Sequence, residues 1–321
     1  MTGPASRACI RLGTRSSALA RWQADWVAAR LRDLGAEVVL VPITTTGDRH
    51  AEGSIGAIGG QGVFTKEIQR ALLEERIDLA VHSLKDLPTD EVQGLGLAAV
   101  PERGPIGDVL VCRTATSLEQ LPDGAVLGTG SLRRRAQLLH VRPDLVFREI
   151  RGNVDTRLGK LEEGQCDGLI LAQAGLERLG LSDRITQRVP IEVLMPAVGQ
   201  GALGLETRVG DHSTRNALES LDHSATHAAV LAERSLLAAL LGGCLAPIAA
   251  WARLEEGSLR LTARVIHPSG NPKVETTLSA PPEDALSLGR QVAEALIALG
   301  AEALIRSARQ SAGSLSPPPA P

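Results

Sequence analysis

Leu79-Ala80-Val81-His82-Ser83-Leu84-Lys85-Asp86-Leu87-Pro88 joins an apolar run to a cluster of ionisable side chains. Residues 79–81 read as a short buried strand. The strand leads into His82, Ser83, Lys85 and Asp86 and stops at Pro88, whose nitrogen has no hydrogen to give a sheet. Reactive side chains therefore stand just past the end of a core strand, where open parallel α/β sheets bind ligands. A surface Lys–Asp pair capping a turn fits the same residues, and the rest of the chain decides between the two.

Upstream, residues 8–12 read as a strand and Gly13-Thr14-Arg15-Ser16-Ser17 as a turn. A helix follows over 18–34, with Trp22 and Trp26 one turn apart, and then a strand over 37–43. Arg15 and Ser17 thus open a helix, whose N-terminus favours anions. Residues 53–62 are glycine-rich but lack the Lys-Ser/Thr of a P-loop and do not follow a strand, so a mobile loop is expected. A helix over 64–75 leads back to the opening strand.

Downstream, a strand over 95–100 meets a break at Pro101-Glu102-Arg103-Gly104-Pro105. Strands follow at 109–112, 125–127, 145–150 and 168–171. Helices are expected from near Leu132, then to about Glu163, then over 174–179. A second break at 195–201 precedes a strand over 202–206. Two breaks predict two α/β lobes joined by two crossings, hinged about a cleft, with the later segment returning to the first lobe. A helix over 224–241, strands at 248–254, 259–266 and 274–278, and a helix over 284–299 read as a small α+β unit. The expected domains are 1–101 with 200–219, then 106–195, then 222–310, with a Ser/Pro-rich disordered tail at 311–321.

Composition narrows the function. The chain has 321 residues, 43% hydrophobic and 22% charged, with net charge −3, which is ordinary for a globular protein. Without a basic surplus, and with two Phe, three Trp and no Tyr, nucleic-acid binding is not expected. No run reaches the length of a membrane helix. The opening residues lack the apolar stretch of a signal peptide. Cys9, Cys112, Cys166 and Cys244 have no CxxC spacing; with no disulfide framework or zinc site in view, a reducing cytosol is expected. The first three read as small buried hydrophobes.

Lysine occurs only at Lys66, Lys85, Lys160 and Lys273, so Lys85 is unlike filler. Arginines cluster at strand ends and helix starts: Arg15, then Arg133 and Arg134 after Ser131, then Arg151 and Arg157. Arg178 ends another helix. A cleft between lobes would collect them, and their forks bind carboxylate or phosphate bidentately. Arg135 and Arg188 read as surface. Asp86 cannot be there to bind an anion; it can stabilise a developing cation or pass protons. Cys244 follows a Gly-Gly turn at a helix C-terminus, which does not lower a thiol pKa. A covalent attachment point fits it better than a nucleophile, and an inert loop cysteine is the plain alternative. His223 and His227 lack a third metal ligand, so no metal is expected.

Six stretches carry a resemblance: Gly13 to Ser17; Ala80 to Pro88; Gly128-Thr129-Gly130-Ser131-Leu132-Arg133-Arg134; Arg151-Gly152-Asn153-Val154-Asp155-Thr156-Arg157-Leu158; Pro196-Ala197-Val198-Gly199-Gln200-Gly201; and Gly242-Gly243-Cys244. In this order, over about residues 7–305, they resemble the porphobilinogen deaminase family. The resemblance implies two lobes like those of periplasmic binding proteins and a third domain carrying the cofactor. It implies a dipyrromethane held on Cys244 by a thioether. Four porphobilinogens would be condensed on that primer with loss of ammonia, and water would then release hydroxymethylbilane.

The matched positions imply that Lys85, Ser131, Arg133 and Arg134 hold cofactor carboxylates. Arg15, Ser17, Arg151, Arg157 and Arg178 would bind incoming or growing pyrroles. Asp86 would contact cofactor and pyrrole N–H groups and stabilise the azafulvenium cation. Phe64 matches a position near the cofactor, and the glycine-rich loop would be the lid. Gln61 and Ala57 stand where many members carry Lys, and Leu245-Ala246-Pro247-Ile248-Ala249 departs from the usual Gln-Val-Pro-Ile-Gly. A cytoplasmic monomer acting on porphobilinogen and the growing oligopyrrole is expected. The competing reading is a non-catalytic two-lobed anion sensor, which would have no use for Asp86 or Cys244.

Overall fold

The computed structural model describes residues 9–44, 65–240 and 246–313. Phe64, the glycine-rich stretch 53–62, Cys244 with its Gly pair, and residues 314–321 lie outside the described residues.

The first sheet has five strands. β1 (Ile10–Thr14), β2 (Val38–Pro42) and β3 (Leu79–Ser83) run parallel, with Ile10 opposite Val38 and Leu12 opposite Leu79. β4 (Leu95–Ala99) lies at the far edge. Helix α1 (Ala18–Asp33) covers one face and α2 (Lys66–Leu73) precedes β3. α1 buries Ala24, Val27, Ala28 and Leu31 against Leu12, Leu79 and Leu205, a stripe at helical spacing that explains why this run is a helix.

The second sheet repeats the plan. β6 (Val126–Gly128), β7 (Val146–Arg148) and β8 (Gly168–Ala172) are parallel, and β5 (Asp108–Cys112) and the short β9 (Gln187–Arg188) complete it. Its helices are α3 (Leu132–Val141), α4 (Val154–Glu162) and α5 (Gln173–Arg178).

What joins the two sheets is an exchange of strands. β5, the first strand past the first crossing, runs antiparallel to β8. β10 (Leu203–Arg208), the first strand past the return crossing, runs antiparallel to β3 and β4 in the first sheet. The two crossings touch: the Gly104 amide donates to the Gly201 carbonyl at 3.2 Å. Gly201 has φ +86, and a Cβ there would lie 2.6 Å from the Gly104 carbonyl oxygen, so only glycine permits the approach.

After α6 (His212–Leu218), helix α7 (Ser224–Ala239) opens the last unit. An antiparallel meander of β11 (Ile248–Glu255), β12 (Ser258–Ile266) and β13 (Lys273–Ala280) packs on α7, α8 (Ala285–Ala298) and α9 (Ala301–Gly313). Leu236, Leu261, Val265, Leu288 and Val292 form its core. α7 and α8 close on each other at Gly289, where a Cβ would stand 2.4 Å from the Ala232 carbonyl oxygen.

Several details differ from the sequence reading. The strand expected over 145–150 is trimmed to an exposed three-residue edge. β9, α6 and α9 are additions; α9 extends helix to Gly313, past the start of the expected tail. Cys166 is buried, but Cys9 and Cys112 are partly exposed, since each sits where its strand begins or ends. His223 caps α7 by accepting from the Thr226 amide, and His227 pairs with Asp222 at 2.8 Å.

Candidate active site

β3 does not run on through Lys85. Residues 84–86 make one tight 3-10 turn, with Leu84 buried beneath it and its amide donating to the Ala202 carbonyl at 3.0 Å. Lys85 is partly buried by this turn and Asp86 is exposed. Burial lowers the Lys85 ammonium to about 8; Asp86 and Asp108 oppose the fall, and Arg134 and Arg133 add to it. Among the described residues none hydrogen-bonds that ammonium.

Opposite the turn, α3 begins with Ser131 as its cap, the hydroxyl accepting from the Arg134 amide at 3.4 Å. Arg133 and Arg134 are buried, although the sequence pattern predicts them lining an open cleft. Both converge on Asp108, a fully buried carboxylate at the start of β5. Arg133 Nη2 donates to it at 2.6 Å, Arg134 Nη2 at 2.7 Å, and the Gln200 amide at 3.0 Å. Burial pushes the Asp108 carboxyl up, but the two guanidiniums outweigh it and hold it down at about 2. Carbonyls of Met195 and Ile170 take further donors, while Arg133 Nε is buried without a partner among the described residues.

Arg157, on the first turn of α4, donates to the Gly152 carbonyl at 2.8 Å. Burial lowers it to about 10; Arg134 and Arg151 lower it further and Asp86 opposes them. Arg157 stands on a helix of the second lobe and Asp86 in the turn after β3 of the first, near enough for the Asp86 charge to act on the guanidinium. Arg151 pairs with Glu149, its Nε donating at 2.6 Å.

The remaining predicted residues are more distant. Ser17 caps α1, accepting from the Ala20 amide at 3.4 Å, and Arg15 precedes it. Arg178 reaches the return crossing, donating to the Gly201 carbonyl at 2.6 Å, with its guanidinium 5.7 Å from the Trp22 ring centroid. The structure thus brings Lys85, Asp86, Arg133, Arg134, Arg151 and Arg157 into one electrostatic neighbourhood, and sets Arg178 at the hinge.

Asp108 is the residue that sequence reasoning overlooked. An aspartate opening the otherwise apolar Val109-Leu110-Val111 strand was the available signal. The arrangement is a group of cationic side chains with the exposed carboxylate of Asp86 beside it. It can bind a polycarboxylate and steady positive charge beside it.

The family model described as porphobilinogen deaminase, dipyromethane cofactor binding domain, matches residues 10–216; that of the family's C-terminal domain matches 227–298. The porphobilinogen deaminase of Syntrophotalea carbinolica is 47% identical over 302 residues, covering 94% of this chain and 96% of that one. That of Desulforudis audaxviator is 49% identical over 305 residues, covering 94% and 99%. Among solved structures, a nutrient-binding protein from Burkholderia cenocepacia bound to methionine is 14% identical, with a TM-score of 0.40, and covers 65% of this chain and 89% of its own. A likeness that slight adds nothing to the strand order described above.

Proposed function

The chain belongs to the porphobilinogen deaminase family, and we propose that the region between the Lys85–Asp86 turn and helices α3 and α4 is where its chemistry occurs. The enzyme acts in tetrapyrrole biosynthesis, condensing porphobilinogen stepwise on a dipyrromethane primer and releasing ammonia and then hydroxymethylbilane. The non-catalytic sensor reading is not favoured.

One observation carries the assignment of the site. Arg133 and Arg134 both converge on the one buried carboxylate of Asp108, and burial with neighbouring guanidiniums lowers the Lys85 and Arg157 cations close by. Asp108 neutralises only part of that charge. Each porphobilinogen ring brings an acetate and a propionate, so the growing chain supplies the missing anions.

The residues suit a bound dipyrromethane: Arg133 Nε is buried without a partner among the described residues, and Ser131 opens a helix N-terminus toward anions. Lys85, Ser131, Arg133 and Arg134 would hold its carboxylates and Cys244 its thioether. When bound, it supplies the free pyrrole carbon from which the chain grows. Arg15, Ser17, Arg151, Arg157 and Arg178 bind carboxylates of incoming and growing pyrroles. Phe64 belongs to the same proposal but lies outside the described residues. Asp86 accepts pyrrole N–H hydrogen bonds and, as the aminomethyl C–N bond breaks and ammonia leaves, its charge steadies the substrate cation. With the primer in place, its free pyrrole carbon would take up that cation, and the proton displaced there would leave with the ammonia, so that one C–N and one C–H bond are exchanged for one C–C and one N–H bond.

The domain division given above and action as a cytoplasmic monomer are part of this reading. No helix among the described residues is long and apolar enough to cross a membrane. Intact mass tests the proposal. Holoprotein should exceed the sequence mass by one dipyrromethane and Cys244→Ser should not; wild-type protein without an adduct would favour the sensor.

A further inference from the structure

The carbonyls that end the Asp86 turn are both held by one guanidinium. Arg234 Nη1 donates to the Leu87 carbonyl at 2.8 Å and Nη2 to the Pro88 carbonyl at 2.7 Å. Arg234 lies on α7, outside the sheet that carries Asp86. Its neighbour Glu233 is fully buried and fixed to Arg103 and to the amides of Gly199 and Ala252. Helix α7 is thus tied at this point to the crossings and to β11.

Past Asp86 the turn is also held by Leu87, which is buried with Leu84, Val100, Ala202 and Val230, but that apolar packing does not fix the carbonyls that Arg234 grips. The turn's internal bond, Leu87 amide to Leu84 carbonyl, is a long 3.2 Å. On the near side the strand is anchored in the sheet. His82 pairs with the buried Glu206 at 2.9 Å, and Gln69 donates to the same carboxylate at 3.0 Å. Burial lowers Arg234, and the Glu206 charge opposes that fall. Asp86 is therefore gripped four residues upstream (86 − 82) by a carboxylate in its own sheet, and just downstream by an arginine from a different unit.

A planar fork reaching two successive carbonyls fixes both position and rotation, which a single ammonium does not. In the sequence Cys244 follows Arg234 by ten residues (244 − 234). We propose that Arg234 is a positioning residue that sets the Asp86 carboxylate relative to the helix that precedes the cofactor-attachment cysteine. This rests on the roles given above to Asp86 and Cys244. In this role Arg234 touches no reacting atom; it acts through the backbone of residues 87 and 88.

The two readings fail separately. If wild-type protein carries no adduct, or Asp86→Glu turns over normally, the site assignment falls whatever Arg234 does. If both hold, Arg234→Lys and Arg234→Gln holoproteins test the inference alone. Both should keep the adduct by intact mass. In each, kcat should fall about tenfold or more, as for a misplaced catalytic group, with KM within about twofold. Hydrogen exchange over residues 84–90 should accelerate while β3 and the core of α7 stay protected. In an Asp86→Glu background the Arg234→Lys change should cost at most about twofold, because the two act as a unit. Equal losses in both backgrounds, unchanged exchange over 84–90, or wild-type kcat in Arg234→Lys would overturn the proposal. Should Arg234→Gln fail to fold, Arg234→Lys decides the matter.

Discussion

Arg103 and Glu233 meet in a two-pronged ion pair, Nη1 to Oε1 at 2.7 Å and Nη2 to Oε2 at 3.1 Å. The same arginine donates to the Gln200 carbonyl at 2.8 Å, and the same carboxylate accepts from the Gly199 and Ala252 amides. One fully buried carboxylate thus ties both crossings to helix α7 and to β11.

Removing that carboxylate leaves the Arg103 charge without its counter-ion, with only the Gln200 carbonyl to accept from it, and leaves two amides unpaired. Glu233→Ala should therefore cost about 3–5 kcal/mol in urea unfolding. Glu233→Gln keeps an acceptor and should cost less. A Glu233→Ala variant within about 0.5 kcal/mol of wild type would show the tie to be dispensable.

Asp108 predicts an acid limb. Its carboxyl is held at about 2 in the fold against an ordinary 3.8. A depressed folded value contributes stability above the unfolded value, and that contribution drains away as pH falls through about 2. Asp108→Asn should be less stable than wild type at pH 7, and the gap should narrow steadily below about pH 4. Asp78 and Asp144 are held equally low by Arg11, Arg208 and Arg142, so the difference between variant and wild type is the quantity to follow. A gap that stays constant to pH 2 would mean Asp108 is not the titrating group.

Lys85 predicts a limb at the opposite end. Burial outweighs the Asp86 and Asp108 charges and sets the ammonium at about 8, below the ordinary 10.5. Folding is then hindered most below 8, where the buried charge is complete, and the hindrance eases as pH rises. Ligand binding has the opposite slope, because the cation that meets the carboxylate disappears above 8. Mass gain by apoprotein incubated with porphobilinogen should therefore slow as pH passes 8. Lys85→Arg, which stays charged, should move that fall to higher pH. The same profile in both proteins would remove Lys85 from the carboxylate binders.

Period and punctuation in the sequence were enough for the lobes. Alternation of apolar strands with helices, and two Pro/Gly breaks, predict two crossings and the return of β10 to the first lobe because crossings need such breaks; the antiparallel run of β5 is not part of that prediction. The turn at Lys85 was harder to foresee, since Leu84 is as compatible with strand as with a 3-10 turn and only the Ala202 contact decides. Asp108 escaped notice because burial alone makes a lone aspartate central. Arg133 and Arg134 were found by their helix-start position, yet their burial depends on that unseen partner. α9 was hidden by polar residues that its exposed face tolerates.

Arg134 is the place where structure and chemistry pull on one side chain. Three of its nitrogens are engaged, with Asp108 and with the Ile170 carbonyl. Its charge also lowers Lys85 and Arg157. Arg134→Ala should cost about 1–3 kcal/mol, since Asp108 keeps Arg133 and Gln200 as donors. If stability were its whole role, folded variant would still acquire the dipyrromethane. If it holds a cofactor carboxylate, the purified folded variant should be largely apoprotein by intact mass, even after incubation with porphobilinogen. Arg135→Ala, one residue on and exposed, is the matched control and should load fully. A folded Arg134→Ala protein with normal adduct content would assign the residue to the Asp108 cluster alone.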